Sequence, residues 1–274
     1  MTYAPCALMN DGRTIPTIGF GLWQVPDDVA VDATLAALEA GYRHLDTAAV
    51  YENEAGVGKA IARSGLPRGE LFVTTKVWNT EHGYDKTMAA MDRSLALLGL
   101  DYVDLYLVHW PSPATGNYLE TWRAVLALQQ QGKTVSVGVS NFHVHHLERI
   151  IAEFGVVPVL DQIELHPNLQ QRELRAFNAG RGILTEAWSP LASGELLDDP
   201  TITTIATKYG VSTAQVMIRW HLQLGHVVLP KSVTPERIRQ NIDVFGFNLD
   251  QQDLADIAAM DKDKRTGPNP DEFE

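Results

Sequence analysis

The sequence predicts an α/β protein folded as one closed barrel of eight strand–helix units, the (β/α)8 or TIM-barrel architecture, and three observations carry that expectation. The first is size: 274 residues, 45% hydrophobic and 20% charged, is an ordinary globular composition, and a barrel of about 250 residues uses nearly all of it. The second is a set of eight short apolar, β-branched runs at 17–21, 44–46, 71–76, 103–109, 134–139, 159–163, 183–187 and 227–229. The third is alternation, because segments with helical period lie between the runs at 29–40, 88–98, 118–130, 145–154 and 213–224. Strands that alternate with helices pair in parallel and bury both faces, which accounts for the almost unbroken apolar stretch from Val103 to Val108.

Taken in order, Ala7 to Ile15 reads as a hairpin, with Asp11-Gly12 as a two-residue turn, placed to plug the N-terminal end of the barrel. The open, doubly wound alternative needs a glycine fingerprint at the first strand-to-helix turn; Gly19 and Gly21 are there, but Gln24 stands where the third glycine belongs. Further on, Thr234 followed by Pro235 marks a helix start, since proline suits the first helical position behind a capping residue. No Gly/Ser/Pro-rich linker divides the chain, so residues 1–274 are expected to form one domain with a polar tail at 261–274.

Charge and cysteine content narrow the partners. With 22 basic and 34 acidic residues the formal charge is −12, which repels nucleic acid and anionic lipid, so any anionic ligand needs a local positive site. The single cysteine, Cys6, cannot form an internal disulfide, Met1 to Ala7 lacks a basic segment followed by an apolar one, and no apolar run approaches the roughly 18 residues that span a bilayer. The expectation is a cytoplasmic monomer whose partner is a small molecule.

Barrel enzymes place their chemistry where strands end at the C-terminal rim. Polar residues that close the apolar runs are Asp46, Lys76, His109, Ser140 with Asn141, Gln162 with Glu164, and Lys231, while Tyr51 follows Asp46 in the next loop. The helix start at Thr234, flanked by Lys231, Ser232 and Arg237, makes an anion site where barrels commonly hold phosphate. Trp23, Trp78 and Trp110 gather by strand order at the same rim beside Val50, suggesting an aromatic-walled substrate pocket. A strand-end lysine beside an aspartate also describes a Schiff-base aldolase, so Lys76 leaves that chemistry open.

Longer motifs bear on the choice. Gly41-Tyr42-Arg43-His44-Leu45-Asp46 through Tyr51, Val73 through Asn79, Asp104 through Pro111, Gly138 through Asn141, and Leu229 through Arg237 run in order along the chain. In these motifs the sequence resembles the aldo-keto reductase superfamily, and within it the short bacterial branch related to 2,5-diketo-D-gluconate reductase. The resemblance implies an NADPH-dependent reduction of aldehydes, ketones, α-dicarbonyls or keto-sugars, with a catalytic tetrad of Asp46, Tyr51, Lys76 and His109 and Tyr51 as proton donor. A tyrosine of ordinary pKa, about 10, needs a nearby cation to act near neutrality. Lys76 is expected to be that cation, held by Asp46, with His109 donating to the carbonyl oxygen.

The resemblance also implies that Trp188 stacks on a nicotinamide ring, that Ser140, Asn141 and Gln162 bind its carboxamide, and that Ser189 and Leu191 line the cofactor site. Lys231, Ser232, Val233 and Arg237 would grip a 2′-phosphate, with Gln240 and Asn241 near the adenine. Some members of the family serve as cofactor-binding regulatory subunits without turnover, which is an alternative beside the aldolase. The short loop at 112–117 predicts an open pocket of broad selectivity. No metal site is expected: His143 and His146 stand one helical turn apart, but no third ligand is evident nearby. Gly56, Gly58 and Lys59 lack the remaining features of a phosphate-binding loop and read as a helix surface.

Overall fold

The structure, a computed structural model, describes residues 4–274; Met1, Thr2 and Tyr3, at the head of the stretch read above for a leader, lie outside the described residues. Strands β1 (Cys6–Leu8) and β2 (Thr14–Pro16) form the antiparallel hairpin. Its turn corrects the expectation of two residues. Met9 N–H donates to Arg13 O at 2.8 Å and Gly12 has φ +84°, so residues 10–12 make a three-residue loop with glycine in the left-handed position.

The barrel follows as β3 (Gly19–Gly21), α1 (Asp27–Ala40), β4 (His44–Asp46), α2 (Glu54–Ser64), β5 (Phe72–Val77), α3 (Tyr84–Leu98), β6 (Val103–Val108) and α4 (Tyr118–Gln130). It continues with β7 (Thr134–Ser140), α5 (Val144–Phe154), β8 (Leu160–Glu164), α6 (Arg172–Gly180) and β9 (Leu184–Trp188). Two helices, α7 (Pro200–Tyr209) and α8 (Thr213–Gln223), precede β10 (Val227–Val228), and α9 (Pro235–Ile242) and α10 (Gln251–Ala258) complete the order. Strands β3 to β10 pair in parallel in sequence order. Closure comes from the parallel bridge Ile18–Val228, with Gly21 N–H donating to Pro230 O at 3.2 Å. The expected (β/α)8 barrel is therefore present.

Alternation along β6 shows how the sequence builds two apolar layers. Tyr106 and Val108 belong to the cluster that also holds Met91 of α3 and Trp122 of α4, whereas Leu105 and Leu107 join the inner cluster. That inner cluster contains Met9 and Ile15 of the hairpin together with Phe72, Val159, Leu160 and Val227 near the strand starts. The hairpin thus seals the bottom with hydrocarbon and leaves the polar strand ends to the top.

Gly56 and Gly58 are in a helix, as expected, but on its buried face. A Cβ at Gly56 would lie 2.4 Å from Asp27 O, and one at Gly58 2.4 Å from Leu98 O, so these glycines let α2 press against α1 and the end of α3. Helix α7 begins at Asp199-Pro200, where the Asp199 carboxylate accepts from Thr201 N–H at 2.8 Å. This is the same start signal that correctly placed α9 at Pro235.

Candidate active site

Asp46 ends β4, Lys76 stands one residue from the end of β5, and His109 follows β6. Tyr51 closes a single helical turn, Ala49–Tyr51, immediately after β4. Strand ends that neighbour one another around a barrel bring these residues together despite their spacing in sequence. The Lys76 ammonium donates to Asp46 Oδ1 at 2.7 Å, to Thr47 O at 2.9 Å and to the Tyr51 hydroxyl at 3.4 Å. The Tyr51 and His109 rings meet edge to face with centroids 5.6 Å apart. Asp46, Tyr51 and His109 line one cavity of about 1120 Å3, while Lys76, fully buried, lies beneath it.

Burial governs the electrostatics. It penalises the Lys76 ammonium, but Asp46 and Tyr51 outweigh the penalty and hold the lysine above its ordinary range. The His109 imidazole is driven well below the usual range, first by burial and then by Lys76, so it is neutral at physiological pH. For Tyr51 the net direction is upward: burial raises the phenol more than Lys76 lowers it, and Asp46 adds to the rise. This corrects the expectation of a phenol brought down by its cation. Lys76 offsets part of the burial cost, and the phenol keeps its proton.

Ser140, Asn141 and Gln162 also line the cavity, but their polar atoms are largely joined to one another and to neighbours. Ser140 Oγ donates to Gln162 O at 2.8 Å, and Asn141 Nδ2 donates to His109 O and to Ser140 Oγ, each at 3.0 Å. The Trp188 indole N–H donates to Asn141 Oδ1 at 2.8 Å, which fixes the orientation of that ring at the cavity wall. Gln162 Nε2 donates to Asp46 Oδ2 at 2.8 Å and to Glu186 Oε2 at 2.7 Å, leaving Oε1 as the acceptor not used by any described residue.

The other end of the cavity is lined by Lys231, Ser232, Val233, Arg237, Gln240 and Asn241, with Ser189 and Leu191 between the two ends. Lys231 and Arg237 are exposed, and neither forms an ion pair among the described residues. Two unpaired cations in a chain of net charge −12 leave a positive patch available to an anion. Trp23, Val50, Trp78 and Trp110 line the same cavity.

The tail at 261–274, read from sequence as polar, folds back across this mouth and narrows the pocket that the short loop was expected to leave open. Phe273 packs against Trp110 with centroids 4.6 Å apart and against Trp78 at 6.0 Å. The Glu274 carboxylate accepts from Ser112 Oγ at 2.8 Å and from Ala114 N–H at 2.9 Å, tying the short loop to the tail. Gly267 lies on the Trp188 ring, where a Cβ would approach within 2.5 Å. The one signal for this in the sequence is an aromatic residue, Phe273, within an otherwise acidic stretch.

The tail also supplies the third group that His143 and His146 lacked. Asp271 approaches His143 Nδ1 at 3.0 Å and His146 Nε2 at 3.7 Å, and the three form a cluster of ligand-type atoms. Hydrogen bonding assigns the protons. Arg265, which can only donate, meets His143 Nε2 at 3.2 Å, and the backbone N–H of His143 donates to His146 Nδ1 at 3.1 Å. The proton of each neutral ring therefore sits on the nitrogen facing Asp271, an arrangement suited to holding a carboxylate rather than a cation.

A sequence profile described as "Aldo/keto reductase family" matches residues 17–262. An aldo-keto reductase of Mycolicibacterium smegmatis is 53% identical over 270 residues, covering 98% of both chains. The methylglyoxal reductase DkgA of Escherichia coli K12 is 51% identical over 267 residues, covering 97% of this chain and 96% of its own. Among solved structures, an aldo/keto reductase from Brucella melitensis superposes with a TM-score of 0.92 at 53% identity, covering 94% of this chain and 100% of its own. A mutant of Gox0644 in complex with NADPH superposes with a TM-score of 0.96 at 48% identity over 100% of both chains. With its eight-stranded barrel and these matches along nearly its whole length, the chain belongs to the aldo/keto reductase family.

Proposed function

We propose that this protein is an NADPH-dependent carbonyl reductase acting on small aldehydes, ketones, α-dicarbonyls or keto-sugars, with Tyr51 as general acid. The observation that carries the reading is the buried chain from Asp46 through Lys76 to the Tyr51 hydroxyl, which opens at one end of a cavity whose other end holds the unpaired cations Lys231 and Arg237. Relatives named methylglyoxal reductases, at 51% identity, support an α-dicarbonyl among the substrates.

The residues fit the cofactor. Lys231, Ser232 and Arg237 at the start of α9 suit its phosphate groups, Val233 beside them flanks the same end, and Gln240 and Asn241 suit its adenine. Gln162 Oε1 is free to accept from a carboxamide, and the Trp188 ring stands at the wall with Ser189 and Leu191. When bound, NADPH supplies the hydride that converts the carbonyl carbon to an alcohol.

Tyr51 then gives its proton to the carbonyl oxygen, and the Lys76 ammonium stabilises the negative charge left on the phenol oxygen. Asp46 keeps Lys76 charged in a site closed to water. His109, neutral, donates a hydrogen bond that orients the carbonyl; its Nδ1 is buried without a partner, which leaves Nε2 for the substrate. Trp23, Val50, Trp78 and Trp110 enclose the substrate's carbon skeleton.

Aldolase chemistry requires a reachable, neutral amine, whereas Lys76 is fully buried and held charged by Asp46. A regulatory subunit without turnover gives the four convergent residues no task. We further place the enzyme in the cytoplasm as a monomer of one domain, in keeping with the single exposed cysteine; among the described residues no helix is long and apolar enough to cross a membrane. Consumption of NADPH, followed by absorbance against methylglyoxal, simple aldehydes, keto-sugars and bulky steroids, tests the reading. No turnover on any small carbonyl overturns it, and strict steroid preference overturns the substrate class.

A further inference from the structure

Directly beneath the site lies a carboxyl group that the proposed reaction does not use. Glu186, on β9, is fully buried inside the barrel. Its Oε2 accepts from Gln162 Nε2 at 2.7 Å, and that nitrogen also donates to Asp46 Oδ2 at 2.8 Å. One amide nitrogen therefore bridges two carboxyl groups, and both of its protons are committed.

The surrounding charges set the protonation. The groups facing Glu186 are Asp46 and His44 on β4, Lys76 on β5, Gln162 on β8, and Tyr51 across the Asp46–Lys76 pair. His44 is pushed down to about 3 by burial and by Lys76, so it is neutral. Lys76 is thus the cation that must serve two carboxyl groups, and its 2.7 Å bond goes to Asp46. Two ionised carboxylates around one ammonium would leave a net negative charge closed to water, so one of the two carries a proton. Glu186 Oε1 has no hydrogen-bond partner among the described residues and lies 3.8 Å from His44 Nδ1, which is equally without one.

We propose that Glu186 is a positioning residue for carbonyl reduction: as a neutral acid it locks the Gln162 amide with Oε1 as its remaining acceptor, and on ionising it weakens Tyr51 as an acid through the Asp46–Lys76 pair. The proposal rests on the reading of Tyr51 as proton donor. Burial and the Asp46 charge push the Glu186 carboxyl up to about 8, which agrees with the charge count. The sign follows. Below that pH Glu186 is neutral; above it a second negative charge raises the Tyr51 phenol further, so reduction slows as pH rises through that value.

Three measurements decide the matter. In infrared difference spectra of the wild-type protein labelled with 13C-glutamate, a protonated-carboxyl band present at neutral pH disappears as pH rises, and Glu186→Gln lacks it. The pH profile of kcat for reduction in wild type shows a fall through the same range; Glu186→Gln keeps kcat near neutrality within about threefold and loses that inflection. Glu186→Ala, which frees the Gln162 amide to turn, raises KM for NADPH by about tenfold with a smaller effect on kcat, the scale of one lost hydrogen bond. A wild-type spectrum without the band, or a Glu186→Gln profile that keeps the wild-type inflection, overturns the inference. Tyr51→Phe, run in parallel, separates the two readings: substantial turnover in that variant defeats the acid assignment, whereas the infrared band reports on Glu186 alone.

Discussion

The two ends of the cavity solve opposite electrostatic problems. At the Tyr51 end Asp46 and Lys76 are 3% and 0% exposed, and each charged group contacts its counter-charge. At the far end Lys231 and Arg237 are exposed and unpaired among the described residues. A buried charge without a partner costs several kcal/mol, so the barrel interior must complete its own pairing before any ligand arrives. An exposed cation is already solvated, so it can wait for its anion with little cost to the fold. Substitutions at the first end should therefore damage chemistry and stability, and at the second end binding alone.

Tyr51→Phe gives the largest expected effect, a fall in kcat of about 10²–10⁴-fold, the usual worth of a positioned general acid, with the Kd for NADPH nearly unchanged. Steady-state kinetics and quenching of tryptophan fluorescence by NADPH measure the two quantities, and near-normal turnover would break the assignment. Lys76→Met removes the partner of a buried carboxylate, so urea unfolding should show a loss of about 3–5 kcal/mol along with inactivity. A variant of undiminished stability would mean that Asp46 is not charged in the native protein. Arg237→Ala is expected to weaken NADPH by about 10- to 100-fold relative to NADH, the range of a charge-assisted hydrogen bond, while leaving Tm essentially where it was. An unchanged preference between the cofactors would remove the phosphate role of that end. Phe273→Ala, at the mouth, should give the smallest change, a rise of about two- to tenfold in KM for bulky carbonyls with stability little altered, because it removes a partly exposed ring that meets Trp78 and Trp110.

Polar residues at strand ends were legible in the sequence, because its pattern marks where an apolar run stops. Asp46, Lys76, His109 and Gln162 were found in this way, and β3 to β10 place them at one rim. Glu186 escaped notice because it lies inside a strand run, where a single acidic residue between Thr185 and Ala187 carries no signal of what it faces. Asp271 escaped for a different reason: its partners His143 and His146 are more than a hundred positions away, and nothing local in the tail announces them. Gly56 and Gly58 read as a surface because glycine carries no hydropathy, and only the approach of Asp27 and Leu98 shows why a side chain is excluded there.

By itself the sequence determined the order of the strands and of most of the helices between them, the hairpin at the bottom, and the residue types at the rim, since each depends on periodicity and local turn chemistry that a short stretch of chain carries within itself. Tertiary structure decided which charges share a site, which way the phenol of Tyr51 shifts, and that the tail narrows the pocket that the short loop was expected to leave open. Those outcomes depend on burial and on distances between residues far apart along the chain, and electrostatic energy in a closed interior changes steeply with both.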